Sequence, residues 1–127
     1  MDEDARSLVR REARLLGARA ESFVVERMVS EGWSVLARNW VGAGGELDLV
    51  ARKGGRLRFV EVKARTHPMV DPVESVTQAK QRRIVAAARL FLDVRPEPFD
   101  EAALAVALVD CTAEPWSLTW IDDAFDG

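Results

Sequence analysis

The chain has little of the chemistry on which many enzymes depend: in 127 residues it contains one cysteine, one histidine and no tyrosine. With Cys111 alone, no intramolecular disulfide can form, which agrees with a reducing compartment. With His67 alone, a paired-histidine zinc motif is excluded. The sequence also has no apolar run long enough to span a bilayer and no signal-peptide pattern at its start. We therefore expect a cytoplasmic protein that does not bind membranes.

Length and composition predict one compact α/β domain over residues 1–127. Hydrophobic residues make up 48% of the chain and charged residues 31%, as in ordinary globular domains. Apolar spacing and turn residues predict two helices and five strands. The helices are expected at 5–31 and from a cap at Ser75 or Thr77 to about Asp93, and the strands at 33–40, 45–53, 56–65, 103–110 and 116–121.

Residues 45–65 predict a β-hairpin that carries charged side chains among strand-forming residues. The Gly54-Gly55 dipeptide suits a two-residue turn. Counting outward from that turn places Asp48 opposite Glu61 and Glu46 opposite Lys63. Because side chains alternate along a strand, these four residues are expected on one face.

Two carboxylates directly across a hairpin repel each other, and burial of an unpaired carboxylate costs several kcal/mol. A divalent cation resolves this conflict, and oxygen ligands suit a hard ion such as Mg²⁺. Lys63 would then point at whatever the metal activates. The alternative is a solvated outer face, with the leucines and valines of both strands turned to the core.

Two segments of the hairpin carry a resemblance to a known family. Residues 45–50, GELDLV, and 59–65, FVEVKAR, resemble the paired motifs of the bacterial YraN-type family, which is similar to endonucleases of the PD-(D/E)xK superfamily. The resemblance implies a restriction-endonuclease-like core, in which a small mixed β-sheet is flanked by helices. It also implies hydrolysis of phosphodiester bonds with Mg²⁺, or with Mn²⁺ as a substitute.

The same resemblance assigns roles to individual residues. It implies that Asp48 and Glu61 are metal ligands and that Lys63 is the catalytic lysine. Glu21, in a GARAE segment similar to the family's Gly-x-x-Gly-Glu, would complete the catalytic site and bind metal. Glu46, which the hairpin count and not the resemblance places on the same face, would be a further ligand. The alternative for Glu21 is an ordinary solvated helix glutamate.

Basic residues predict where a substrate would bind. Lys80 on the second helix matches a lysine usual in the family, and Arg65 and Arg83 flank the expected site. The net charge is −3, but residues 1–92 carry 17 Lys or Arg against 12 Asp or Glu, whereas residues 93–127 carry one against nine. This asymmetry predicts that a nucleic acid can approach the basic part and that an acidic C-terminal tail begins at about residue 93. The resemblance implies that the nucleic acid is DNA.

One departure from the family supports a second interpretation. Family members carry an Arg-Phe-Asp triplet where this chain has Ala-Leu-Ala at 103–105. The alternative function is therefore a non-catalytic module that keeps the fold and binds nucleic acid or protein. A homodimer is also compatible with the sequence.

Overall fold

The computed structural model describes residues 2–67 and 77–122. Within them lie two helices and five strands, in the order α1 (Glu3–Ser30), β1 (Ser34–Gly42), β2 (Gly45–Lys53), β3 (Arg56–Arg65), α2 (Gln78–Val94), β4 (Glu101–Asp110) and β5 (Ser117–Asp122). The type and order of every predicted element are confirmed, and the boundaries differ by at most two residues. In this part of the chain neither helix combines the length and apolarity needed to cross a bilayer.

The five strands form one mixed sheet in the order β1-β2-β3-β4-β5. Strands β3 and β4 are parallel, and the other neighbouring pairs are antiparallel. A parallel pair needs a crossover connection, and α2 provides it. Helix α2 begins after Thr77, whose side chain accepts a hydrogen bond from the Lys80 amide at 3.1 Å. Ser75 and most of the predicted loop after β3 lie outside the described residues.

Each face of the sheet is covered by one helix. Helix α1 packs through Ala20, Val24 and Met28 against one cluster, and α2 packs through residues such as Ile84 and Phe91 against the other. These five side chains are all more than nine-tenths buried. The structure confirms a small mixed sheet with helices on both sides.

The predicted hairpin register holds near the turn and fails farther out. Lys53 lies opposite Arg56, and the pairing continues as predicted until Leu49 lies opposite Val60. The predicted pairs of Asp48 with Glu61 and of Glu46 with Lys63 are wrong, because the ladder ends there. At this point the Asp48 carboxylate accepts the hydrogen bond of the Val62 amide at 2.8 Å, a position that a backbone carbonyl would otherwise take.

The expected alternation of side chains along β2 is also interrupted at Asp48. Leu47 packs in the cluster that contains α2, whereas Leu49 packs in the cluster that contains α1. On the neighbouring strand, Asn39 lies between the partners of these two leucines and has a positive φ of 50°. Asparagine tolerates this conformation better than most residues. The strand therefore changes face here, which a strict two-residue period does not predict.

The acidic segment after residue 93 does not stand apart as a tail in the described residues, because it forms β4 and β5. Its carboxylates pair with arginines of the hairpin: Arg52 with Glu97 at 3.1 Å, Arg58 with Glu101 at 2.7 Å and with Asp122 at 3.6 Å, and Arg65 with Asp110 at 3.9 Å. Much of the negative charge of this segment is thus opposed by basic groups of β2 and β3. Residues 103–105, in place of the family's charged triplet, pair with β3 and contribute the buried Leu104 and Ala105.

Candidate active site

A cleft of about 460 Å³ opens where β2 and β3 part and the first turns of α2 pass over them. Of the residues predicted from the sequence, Glu46, Asp48, Glu61, Lys80 and Arg83 line it. Glu46 and Arg83 are exposed at its rim, and Asp48 and Lys80 are half-buried. The fold therefore gathers acidic residues of both hairpin strands and basic residues of α2 around one space.

Glu61 is the buried charge at the base of the cleft. Its side chain is 6% exposed, and its Oε1 atom lies 2.9 Å from the Lys80 Nζ atom and 3.4 Å from the Lys63 Nζ atom. A carboxylate this deeply buried needs compensation, and the two amines provide it. Two different elements thus converge on one oxygen, because β3 supplies Lys63 and α2 supplies Lys80.

Asp48 lies beside Glu61 and is the most strongly perturbed acid of the site. Burial raises the pKa of Asp48 to about 7, helped by the negative charge of Glu61, by a shared hydrogen bond with Glu61 and by the charge of Glu21, while the Val62 amide opposes the rise. Two carboxylates that share a site cannot both ionise easily. Near neutral pH Asp48 is therefore partly protonated, and a cation that bound there would displace this proton.

The two lysines are shifted in opposite directions. Burial, with the neighbouring Lys80, lowers the pKa of Lys63. Burial is the largest single effect on Lys80 and acts against its charge, but the hydrogen bonds with Glu61 and Lys63 and the charges of Glu61 and Asp48 together outweigh it, and the pKa of Lys80 is raised. Lys80 therefore holds its positive charge against Glu61, and Lys63 gives up its proton more readily than an ordinary lysine.

Glu21 approaches the site from the other face of the sheet. It does not line the cleft, but its charge acts on Asp48. The Asn39 side chain donates a hydrogen bond to Glu21 Oε1 at 3.0 Å, and Arg38 lies 3.7 Å from the same oxygen. The sequence did not lead us to predict Asn39 as part of the site. An asparagine inside a predicted strand is uncommon, and this could have indicated it.

Arg65 is the predicted substrate-binding residue that the structure does not bring to the cleft. It lies at the end of β3, where its guanidinium is 3.9 Å from Asp110 Oδ2 and donates a 3.4 Å hydrogen bond to the His67 carbonyl. These contacts tie the ends of β3 and β4 together.

The donor chemistry of the cleft fits a hard divalent cation that keeps part of its water. Within 2–67 and 77–122, no three His, Cys, Asp or Glu side chains stand close enough to form a preassembled metal site. Mg²⁺ does not need one, because it is usually held by one or two carboxylates with waters and substrate phosphate oxygens. Asp48 and Glu61 are such a pair, and a cation between them would relieve their repulsion.

A substitution at Gly45 tests how closely α2 packs against β2 beside the cleft. A Cβ atom at this position would collide with the backbone carbonyl of Arg83. We expect Gly45→Ala to destabilise the fold by about 1–2 kcal/mol, because backbone atoms of α2 must shift to admit the methyl group. Urea unfolding measures this loss.

Gly17→Ala is the matched control, because a Cβ there has no atom within 4 Å in a helix interior. This change should stabilise the chain by up to about 1 kcal/mol. If both alanine variants were as stable as the original chain, the close packing of α2 on β2 would be contradicted.

The mixed sheet with a helix on each face, and the acid pair beside two lysines, define a restriction-endonuclease-like α/β domain. The chain belongs to the uncharacterised protein family UPF0102, whose model matches residues 20–112. This is the YraN-type family that the hairpin motifs predict.

Relatives from several bacteria support the assignment. A UPF0102 protein of Gloeobacter violaceus is 50% identical over 80 residues, which cover 61% of this chain and 64% of the relative. A UPF0102 protein of Dictyoglomus turgidum is 37% identical over 106 residues, covering 83% and 90%. One from Pseudomonas paraeruginosa is 35% identical over 119 residues, covering 87% and 91%.

Proposed function

We propose that this protein is a metal-dependent nuclease that hydrolyses phosphodiester bonds in DNA in the cytoplasm, with branched or repair intermediates among its substrates. The observation that carries the proposal is the Asp48 and Glu61 pair beside Lys63 and Lys80. The two amines compensate Glu61, but ionising Asp48 beside it is costly unless a cation binds there. The pair also lies in a cleft open enough to admit a phosphate.

Asp48 and Glu61 would hold Mg²⁺ or Mn²⁺, with Glu21 and Glu46 as more distant acidic partners. When bound, such an ion supplies Lewis-acid stabilisation of the phosphate and acidifies a water molecule. The geometry of Glu21 favours a supporting role, since its carboxylate already accepts a hydrogen bond from Asn39. Glu46 is exposed at the rim of the cleft, which it already lines.

The chain's own residues account for the remaining steps. Lys63, with its lowered pKa, is suited to accept a proton from the attacking water, and the leaving oxygen, on the opposite side of the phosphorus, would take its proton from solvent. Lys80 keeps a positive charge at the base of the cleft, where charge develops on the phosphate during displacement. Arg83, at the rim, would orient a phosphate through paired hydrogen bonds.

A Mn²⁺ titration by calorimetry, followed by a cleavage assay, tests the proposal. The original chain should bind Mn²⁺ and cut at least one of three DNA probes: duplex, single-stranded or four-way branched. Asp48→Ala should weaken Mn²⁺ binding by more than the roughly 10- to 100-fold that loss of an outer-shell partner costs. Asp93→Ala, the same change at an exposed position late in α2, should leave binding intact.

The rival function gives a different result in the same experiment. A non-catalytic module would bind DNA equally well with and without the Asp48 carboxylate and would cut none of the three probes. Its support is the Ala-Leu-Ala stretch that replaces the charged triplet of the family. That outcome, or Mn²⁺ binding that survives Asp48→Ala, would refute the nuclease proposal.

A further inference from the structure

The first half of α1 projects beyond the sheet, except that Leu15, Ala18 and Arg19 at its end line a cavity with Pro115 and Trp116. The helix has 28 residues, but its first buried residue is Ala20. Gly17 confirms the open surroundings, since a Cβ atom there would have no neighbour within 4 Å. At 1.5 Å per residue, the part from Glu3 to residue 19 extends for about 25 Å. We call residues 3–19 the projecting arm.

The arm leaves the sheet at the end where the candidate active site lies. The C-terminal part of α1 reaches the hairpin turn, where Met28 and Lys53 line one small pocket. The other end of the packed part is Glu21, whose charge acts on Asp48. Because the helix is continuous, the arm can only extend past the site and away from the hairpin turn.

Helix geometry gives the direction of the arginines on the arm. Five turns of 3.6 residues equal 18 residues, so Arg6 lies in line with Val24, and Arg10 lies in line with Met28. Val24 and Met28 are buried against the sheet. Arg14 precedes Glu21 by seven residues, about two turns, and so shares its side of the helix. The helix face that is apolar over the sheet therefore becomes basic beyond it.

The charge of the arm identifies the kind of partner. Over residues 3–19 it carries five arginines against three acids, and two of the acids, Glu3 and Asp4, lie in its first turn. All five arginines are exposed. Guanidinium groups bind phosphate through paired, charge-assisted hydrogen bonds, and duplex DNA presents about one phosphate charge per 1.7 Å of its axis.

We propose that Arg6, Arg10 and Arg14 bind the phosphate backbone of the nucleic acid whose scissile bond lies in the cleft. This inference rests on the proposed function, which brings the nucleic acid to the end of the sheet beyond which the arm extends. The arginines lie at about 22, 16 and 10 Å along the helix axis from Glu21. They would therefore contact phosphates well away from the bond that is cut, and would position the substrate rather than take part in the reaction.

A binding assay without divalent cations tests the arm separately from catalysis. The probe is a fluorescein-labelled DNA duplex of about three helical turns, followed by anisotropy in EDTA over a range of NaCl concentrations. Arg6→Gln with Arg10→Gln should weaken binding by roughly tenfold and reduce the slope of log K against log salt by about 1.8, for two lost phosphate contacts.

A charge-matched control is Arg11→Gln with Lys53→Gln. Arg11 lies about 140° around the helix from Arg6, and Lys53 is exposed beside the hairpin turn. This variant loses the same two positive charges, so its salt slope should stay that of the original chain. Equal losses in the two double variants, or no DNA binding by the original chain, would overturn the inference.

Two further outcomes separate the inference about the arm from the nuclease proposal. If the original chain cuts no DNA but Arg6→Gln with Arg10→Gln still loses binding, the arm is supported and the nuclease proposal fails. If DNA is cut and bound equally well without the two arginines, only the inference about the arm is refuted.

Leu8 and Leu15 are exposed on the opposite side of the arm. If the arginine changes altered sedimentation rather than DNA binding, the arm would contact a second copy of this chain, and the inference would be wrong.

Discussion

Lys63→Met should lower the rate constant of Mn²⁺-dependent cleavage by about 10²- to 10³-fold while leaving Mn²⁺ affinity nearly unchanged. The amine lies 3.4 Å from Glu61 and, in the proposed mechanism, would not ligate the ion, so its loss should remove a contribution to the reaction rather than to metal binding. Proton transfer and charge stabilisation by one positioned group have effects of this size. Single-turnover cleavage of labelled DNA, combined with a Mn²⁺ titration, separates the two effects.

Lys63→Arg distinguishes proton transfer from charge alone. Burial and the nearby Lys80 lower the pKa of Lys63, so its amine can lose a proton, whereas a guanidinium keeps its charge. We expect Lys63→Arg to be nearly as inactive as Lys63→Met. The cleavage rate of the original chain should rise with pH as the Lys63 amine becomes neutral.

Lys53→Met is the matched control, because Lys53 is an exposed lysine at the opposite end of the hairpin. It should cleave at the rate of the original chain. If Lys63→Met retained full activity, or Lys63→Arg restored it, proton transfer by Lys63 would be disproved.

Asp48→Asn should stabilise the fold at pH 8 in the absence of divalent cations, by on the order of 3 kcal/mol. The pKa of Asp48 is raised from 3.8 to about 7, chiefly by burial and by the charge of Glu61, so above pH 7 folding must bury an unfavourable carboxylate. An asparagine still accepts the hydrogen bond from the Val62 amide and removes the repulsion. Urea unfolding of both proteins at several pH values measures the difference.

The sign of the pH dependence follows from proton binding. Between about pH 4 and pH 7 the folded chain keeps a proton on Asp48 that the unfolded chain has lost. The contribution of Asp48 to stability therefore falls as the pH rises through this range. The advantage of Asp48→Asn should be greatest above pH 7 and should disappear near pH 4.

Adding Mn²⁺ should reverse the order of stability at pH 8, since the cation stabilises only the chain that keeps both carboxylates. Asp93→Asn, at an exposed position of α2, should change stability little at any pH. A pH-independent difference between Asp48→Asn and the original chain would contradict the raised pKa of Asp48.

Much of the fold can be read from local patterns. Apolar spacing predicted α1 and α2, and the Gly54-Gly55 turn fixed the hairpin register as far as Leu49. These features depend on residues close in sequence, where helix period and turn geometry leave few choices. The register failed at Asp48 because a side chain there replaces a backbone acceptor for Val62, and no count along the strand can include that contact.

The sequence by itself determined which chemical groups are available: a paired set of carboxylates and a lysine on one hairpin, with hardly any sulfur or imidazole. Only the tertiary structure decided which of them meet. Lys80 is 19 residues from Glu61, yet α2 crosses over the sheet and brings its amine within 2.9 Å. Arg65 is much nearer in sequence, but it lies at the end of β3 and pairs with Asp110. The physical reason is that burial and crossover packing set pKa values and contacts through space, whereas strand periodicity constrains only neighbours along the chain.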